Sequence, residues 1–154
     1  MASVYLDTTI LSFLHDRRQK FEFVIEATKT WWTQDRKSFE VFVSDAVIAE
    51  LARGNFAGKE AAIRASAECG RLAFDPRIRE IAEFYVEHSL MPRDLEGDAL
   101  HLAYASFYKI DYILTWNFSN LANANKFLHI RILNSRLGIS VPSIVTPPQL
   151  TGNT

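Results

Sequence analysis

The sequence predicts an α/β fold built on a parallel sheet. Short β-branched and aromatic runs (VYL, FEVFVS, RLAF, YILT, SIV) recur along the chain, alternating with segments of helical character. Strong helix starts, above all Asp75-Pro76, stand between them. At 154 residues with 48% apolar and 23% charged residues, the chain is one soluble domain with a sizeable core.

Taken in order, VYL (4–6) is the first strand and residues 9–14 a short helix. Residues 20–35 carry Phe21, Val24, Ile25, Thr28 and Trp32 at helical spacing. FEVFVS (39–44) is the second strand. Asp45 is an N-cap for AVIAELARG, and Gly54 ends that helix. The Ala-rich stretch 57–69 is a further helix, stopped at Gly70, and RLAF (71–74) is a short strand. Asp75 as cap and Pro76 at the first helical position start a helix to about His88. Pro92 and Asp94 open the next helix, to about Tyr108. YILT (112–115) is a strand, 118–136 is mostly helical with a break near Asn120–Asn125, and SIV (143–145) is the last strand. Pro147-Pro148 ends regular structure. No linker, internal repeat or low-complexity stretch interrupts the single domain, 1–154, whose last few residues read as a tail.

The net charge is −1, so a nucleic-acid partner would have to be met by a local basic patch or by metal ions rather than by overall charge. The single cysteine, Cys69, forbids an internal disulfide and fits a reducing cytoplasm. No apolar run approaches the roughly 18 to 20 residues of a membrane span, and no signal-like segment opens the chain.

In an open parallel sheet, ligands sit at the carboxyl ends of the strands. Asp7 ends the first strand. Glu50 lies on the helix after the second, among the apolar neighbours of VIAEL. Asp98 lies near the start of the helix before YILT, and Thr115-Trp116-Asn117 follows that strand. Each has an ordinary structural reading: a helix cap for Asp7, a solvated helix residue for Glu50, an amphipathic surface for Asp98, a turn for Asn117. Together they are candidates for one pocket. Two carboxylates about 4 Å apart repel by about 4 kcal/mol at an effective dielectric of about 20, so such a cluster holds protons or a cation. Oxygen ligands without a Cys or His cluster point to Mg²⁺ or Mn²⁺, the usual equipment for phosphodiester cleavage.

The blocks VYLDTTILSFL, VFVSDAVIAELARG, GDALHLAYASFYKIDYILTWNF and NLANANK, in this order over nearly the whole chain, resemble the PIN-domain family. The likeness is greatest to its VapC-like toxin ribonucleases, in a branch carrying TWNF. The resemblance implies a three-layer α/β/α sandwich with a mostly parallel sheet. It implies an Mg²⁺- or Mn²⁺-dependent endoribonuclease in which Asp7, Glu50 and Asp98 hold the metal. It also implies a cognate antitoxin, RNA as substrate and a homodimer. Thr115 resembles the family's hydroxyl near the metal. Asn117 stands where many relatives carry an aspartate, and Gly97 where a further carboxylate is common. Both departures lower the negative charge of the pocket and argue for a single metal at rest. Glu96 points about 100° away from Asp98 on a helix and does not substitute for it.

Thr8 and Ser44 either hydrogen-bond the carboxylates or cap turns. His101 shares a helix face with Asp98 and reads as a satisfied core histidine. His15, His88 and His129 have no partner pattern. Trp31-Trp32 is a base-stacking platform or, for at least one of the two, helix packing. Arg17, Arg18, Lys20 and Lys29, with Arg53 and Lys59, read as solvated faces unless they steer a phosphate backbone. Cys69 is a thiol without chemistry. The helices of 20–35 and 57–69 would form an antitoxin groove, and an antitoxin Arg or Lys would enter the carboxylate cluster. The competing reading is a catalytically silent PIN-fold module that grips RNA or protein, for which Asn117 is the support. A phosphatase of the aspartyl type is disfavoured because residue 9 is Thr, which breaks D-x-D.

Overall fold

The computed structural model describes residues 1–91 and 97–152. Five strands, β1 (Ser3–Leu6), β2 (Glu40–Ser44), β3 (Gly70–Leu72), β4 (Tyr112–Leu114) and β5 (Ser143–Val145), form one sheet in the order β3-β2-β1-β4-β5. Every pairing is parallel. Central β1 is buried at Val4, Tyr5 and Leu6, because both of its faces are covered, so it reads as an unbroken apolar run.

Seven α-helices are described: α1 (Thr8–Leu14), α2 (Glu22–Thr30), α3 (Asp45–Arg53), α4 (Lys59–Ser66), α5 (Pro76–Glu87), α6 (Asp98–Phe107) and α7 (Ala124–Leu137). From β1 the chain steps outward to β2 and β3, then returns to the other side of β1 for β4 and β5. Right-handed crossovers therefore send α1–α4 to one face and α5–α7 to the other, giving the three layers. Contacts follow this division: α1 packs on α2, α3 and α4, and α5 packs along α6. A buried polar ring ties the second layer together. Tyr85 on α5 donates to Asn134 Oδ1 on α7 (2.6 Å), and Asn134 Nδ2 donates to Ser106 Oγ on α6 (3.0 Å). Ser106 Oγ lies 3.2 Å from the Tyr85 hydroxyl, closing the ring.

Several boundaries differ from expectation, each for a local reason. Ser44, not Asp45, occupies the N-cap position of α3; Asp45 is the first helical residue and pairs with Arg71 at 2.9 Å. The helix expected over 20–35 starts with a 3-10 turn at Gln19–Phe21 and widens into a π turn at Trp31–Asp35. Trp31, bonded to Ala27 O as in a regular helix, enters the core, and Trp32, the expected core residue, is half-buried. Helix α4 covers only the middle of 57–69, and β3 runs from Gly70 to Leu72 rather than to Phe74. Asp75 caps α5 as expected, accepting from Arg77 N at 2.9 Å. The expected helix over 118–136 begins only at Ala124, capped by Asn123, and ends at Gly138, whose φ of 69° suits a residue without a side chain. Pro147-Pro148 opens a 3-10 turn with a Thr146/Gln149 capping box instead of ending regular structure. The expected helix start at Pro92–Asp94, and Glu96, lie outside the described residues.

Candidate active site

Strands β1 and β4 are neighbours whose onward connections leave in opposite directions. Their carboxyl ends therefore flank the crevice where an open α/β sheet binds ligands. Asp7 lies there, only 2% exposed. Its Oδ1 accepts from Thr9 N (3.1 Å) and Thr9 Oγ1 (2.5 Å), so it does cap α1. Its Oδ2 accepts from Thr115 Oγ1 at 2.6 Å. Thr115 Oγ1 in turn accepts from Asn117 N (2.9 Å), and Thr9 Oγ1 from Trp116 N (2.9 Å). Two threonines thus lace the ends of β1 and β4 together around one carboxylate. Burial pushes the Asp7 pKa up, against the lowering effects of His101, Thr115 and Thr9.

The second carboxylate is paired. Where α3 meets α6, His101 Nε2 lies 2.5 Å from Glu50 Oε1 and donates to it, since an ionised carboxylate only accepts. On its other side, His101 Nδ1 is 2.7 Å from the Tyr5 hydroxyl, which is 2.7 Å from Ser44 Oγ. Burial alone would push Glu50 up, but the His101 hydrogen bond and charge bring it below its ordinary value. Burial likewise works against a charged His101, yet Glu50, Asp7 and Asp98 together raise its pKa. The imidazole therefore sits within electrostatic reach of all three expected carboxylates.

The third carboxylate, Asp98, is the first residue of α6 and is gripped by amides. Asn117 Nδ2 donates to its Oδ1 (3.0 Å) and Asn120 Nδ2 to its Oδ2 (2.8 Å). Asn117 Oδ1 accepts from Ser119 N and Asn120 N, a turn that fixes both amides. Lys126 Nζ donates to Asn120 Oδ1 (2.9 Å) and to Leu90 O (3.0 Å). Burial lowers the Lys126 pKa, partly offset by the charge of Asp98.

The PIN-domain family model matches residues 4–119, which span β1 to just past β4 and all of these groups except Asn120 and Lys126. The chain belongs to the PIN-domain family. A toxin–antitoxin complex from Klebsiella pneumoniae shares the fold at 20% identity and a TM-score of 0.53, over 94% of this chain and 97% of that one. The Mycobacterium tuberculosis Sarcin–Ricin loop cleaving toxin VapC20 matches at 20% identity and 0.54, over 75% and 92%. FitAcB from Neisseria gonorrhoeae matches at 14% identity and 0.52, over 96% and 99%. No curated protein matches in sequence.

For this PIN domain, the donor chemistry fits a hard divalent ion, since all three carboxylates offer oxygen. The Thr8 hydroxyl oxygen, close enough to Glu50 to help hold it ionised, is buried and outside hydrogen-bond geometry. Among the described residues, however, no three acidic, His or Cys side chains stand together as a ready cage. Each of Asp7, Glu50 and Asp98 is instead held by its own partners: threonines, a histidine and amides.

The remaining expectations divide. His101 is a satisfied buried histidine, as read, but what satisfies it is Glu50, so it belongs to the site. Ser44 holds Tyr5 rather than a carboxylate. Trp31 is 1% exposed and cannot stack a base; Trp32 is covered by Arg36, 3.9 Å from its ring. Arg18 is paired with Asp16 and lies over Phe21. The half-buried Cys69 thiol is pushed up to about 11 by burial, consistent with no chemistry. Asn120 and Lys126 were not singled out from the sequence. The run NLANANK held the signal: an amide three residues after Asn117 and a cation six further on.

Proposed function

We propose that this PIN domain is an Mg²⁺- or Mn²⁺-dependent endoribonuclease, the toxin of a toxin–antitoxin pair. One observation carries the reading: in a PIN-family chain, the single buried imidazole of His101 is bonded to Glu50 and lies within electrostatic reach of Asp7 and Asp98, at the carboxyl edge of a parallel sheet where Asn117 binds Asp98. Asp7, Glu50 and Asp98 would hold the ion, which when bound supplies an activated water and neutralises charge at the phosphate. Thr115 orients Asp7 and, through the Asn117 N–H, the loop behind it. His101 keeps Glu50 ionised. The Asn117 and Asn120 amides aim Asp98 and add no negative charge, which supports one tightly held metal rather than two.

The Klebsiella neighbour is a toxin–antitoxin complex, which supports a cognate antitoxin as partner. Its inhibitory contact would be an Arg or Lys among the carboxylates. A homodimer and a cytoplasmic location complete the proposal; among the described residues no helix is long and apolar enough to cross a membrane.

The test is cleavage of a panel of structured and unstructured RNAs, tRNAs included, with Mg²⁺, with Mn²⁺ and with EDTA. Asp98→Asn runs beside it. The expected result is metal-dependent cutting that the variant lacks. Equal cutting by Asp98→Asn would overturn the assignment. Absence of cutting from folded protein under every condition would favour the silent RNA- or protein-binding module, for which Asn117 is the specific observation.

A further inference from the structure

All eighteen acidic residues lie at or before Asp111, whereas three of the seventeen basic residues, Lys126, Arg131 and Arg136, follow it. The segment from Tyr112 onward is therefore cationic without an internal counter-charge, although the whole chain is not. That segment also exposes aromatic rings. Phe118 is 60% and Phe127 45% exposed. Both line one hollow of about 430 Å³, floored by Leu121, Ile130 and Ile144 and edged by Gln149. Arg131 lies one turn along α7, its guanidinium 5.9 Å from the Phe127 ring. Phe118 directly follows Asn117, whose amide holds Asp98, so the hollow opens beside the candidate active site.

We propose that this hollow is the path of the RNA strand, with unpaired bases on Phe118 and Phe127 and the phosphate backbone on Arg131. The inference rests on the ribonuclease reading and adds to it the surface that the single strand follows. Exposed rings recognise bases only where these are unstacked, because a paired base has no free face to offer. A duplex would leave both rings uncovered. Arg131, beside Phe127 at the hollow, offers the cation that a polyanion would meet. Position fits as well, since Phe118 adjoins Asn117, whose amide binds Asp98. Leu128 and Ile132 are also exposed, but they lie on the adjoining face of α7 and outside the hollow.

The test is binding of a fluorescein-labelled, unstructured oligoribonucleotide to the full chain in EDTA, read by anisotropy, with cleavage measured separately. Phe118→Ala and Phe127→Ala should each weaken binding by about tenfold, the effect of losing one base–aromatic stack. Arg131→Gln should reduce the slope of log affinity against log salt by about 0.7, the single-strand value for one phosphate contact. The same oligonucleotide annealed to its complement should bind more weakly and be indifferent to either Phe substitution. All three side chains are exposed, and circular dichroism checks that the variants fold. Wild-type cutting with unchanged binding in both Phe variants overturns the path and leaves the nuclease reading intact. Binding that depends on these residues without any cutting keeps the path and overturns the nuclease reading. A change in molecular mass on sedimentation, with RNA binding unchanged, assigns the surface to a protein contact and overturns the proposal.

Discussion

The two flanks of the carboxylate cluster are built differently. On one flank, Asp7 and the His101–Tyr5–Ser44 chain are buried, anchored on β1, β2 and α6 and closed by short hydrogen bonds, with half-buried Glu50 on α3 tied to His101. On the other, Asp98 is half-buried at a helix start and held by two amides from the segment after β4, backed by one lysine. The first flank is part of the core, so damage to it should be felt as lost stability as well as lost function. The second is a rim whose members are held by each other, and damage there should be felt as lost function.

Asp7→Asn tests the deep flank most severely. It keeps the shape but removes the charge at the switch point, so RNA cleavage should fall by roughly a hundredfold or more, measured as single-turnover rate in Mg²⁺. Next comes metal itself. Mg²⁺ at about 100 times its dissociation constant should stabilise the protein by about 2.7 kcal/mol. Calorimetry should register the gain in the wild type and its loss in Asp98→Asn. An undiminished gain in that variant would remove Asp98 from the metal site.

Glu50→Ala leaves the buried His101 nitrogen unpaired and should cost about 1–3 kcal/mol. Asn120→Ala, on the rim, should stay within about 0.5 kcal/mol while lowering cleavage. Denaturant melts of the two, side by side, would erase the contrast if they came out equal. The smallest effect is in pH. His101 has a raised folded-state pKa, so its stabilisation is fully present below its unfolded value of about 6.5 and is lost as pH rises through the folded value. Burial raises Asp7 as well, which acts in the same direction. In EDTA, the His101 contribution should therefore favour pH 6 over pH 8, against His15, whose lowered pKa acts the other way, so the melting-temperature difference between wild type and His101→Phe should be larger at pH 6 than at pH 8.

How much of this was legible beforehand follows the range of the interactions. The strand runs, the Asp75-Pro76 start and the placement of Asp7, Glu50, Asp98 and Asn117 at one edge depend on local pattern and sheet topology, and the sequence carries both. The partners of those residues do not follow local rules. His101 and Glu50 are fifty-one positions apart, so helical spacing tied His101 to Asp98 and could not reveal the pairing. Trp31 and Trp32 stand three and four positions after Thr28, both within one helix face, so periodicity could not choose which of them is buried. Ser44 and Asp45 are both good caps, and only the backbone angles choose between them. Lys126 reaches the rim because α7 starts late, after a loop that hydrophobic periodicity does not resolve.

Both outer strands of the sheet, β3 and β5, are three residues long. A strand that short offers a passing peptide few free main-chain groups to ladder onto. Recognition by strand addition is thus poorly served on this fold. A partner of this domain, whether antitoxin or second copy, has to be chosen through side chains and surface shape. Its specificity can therefore be rewritten one residue at a time without touching the sheet.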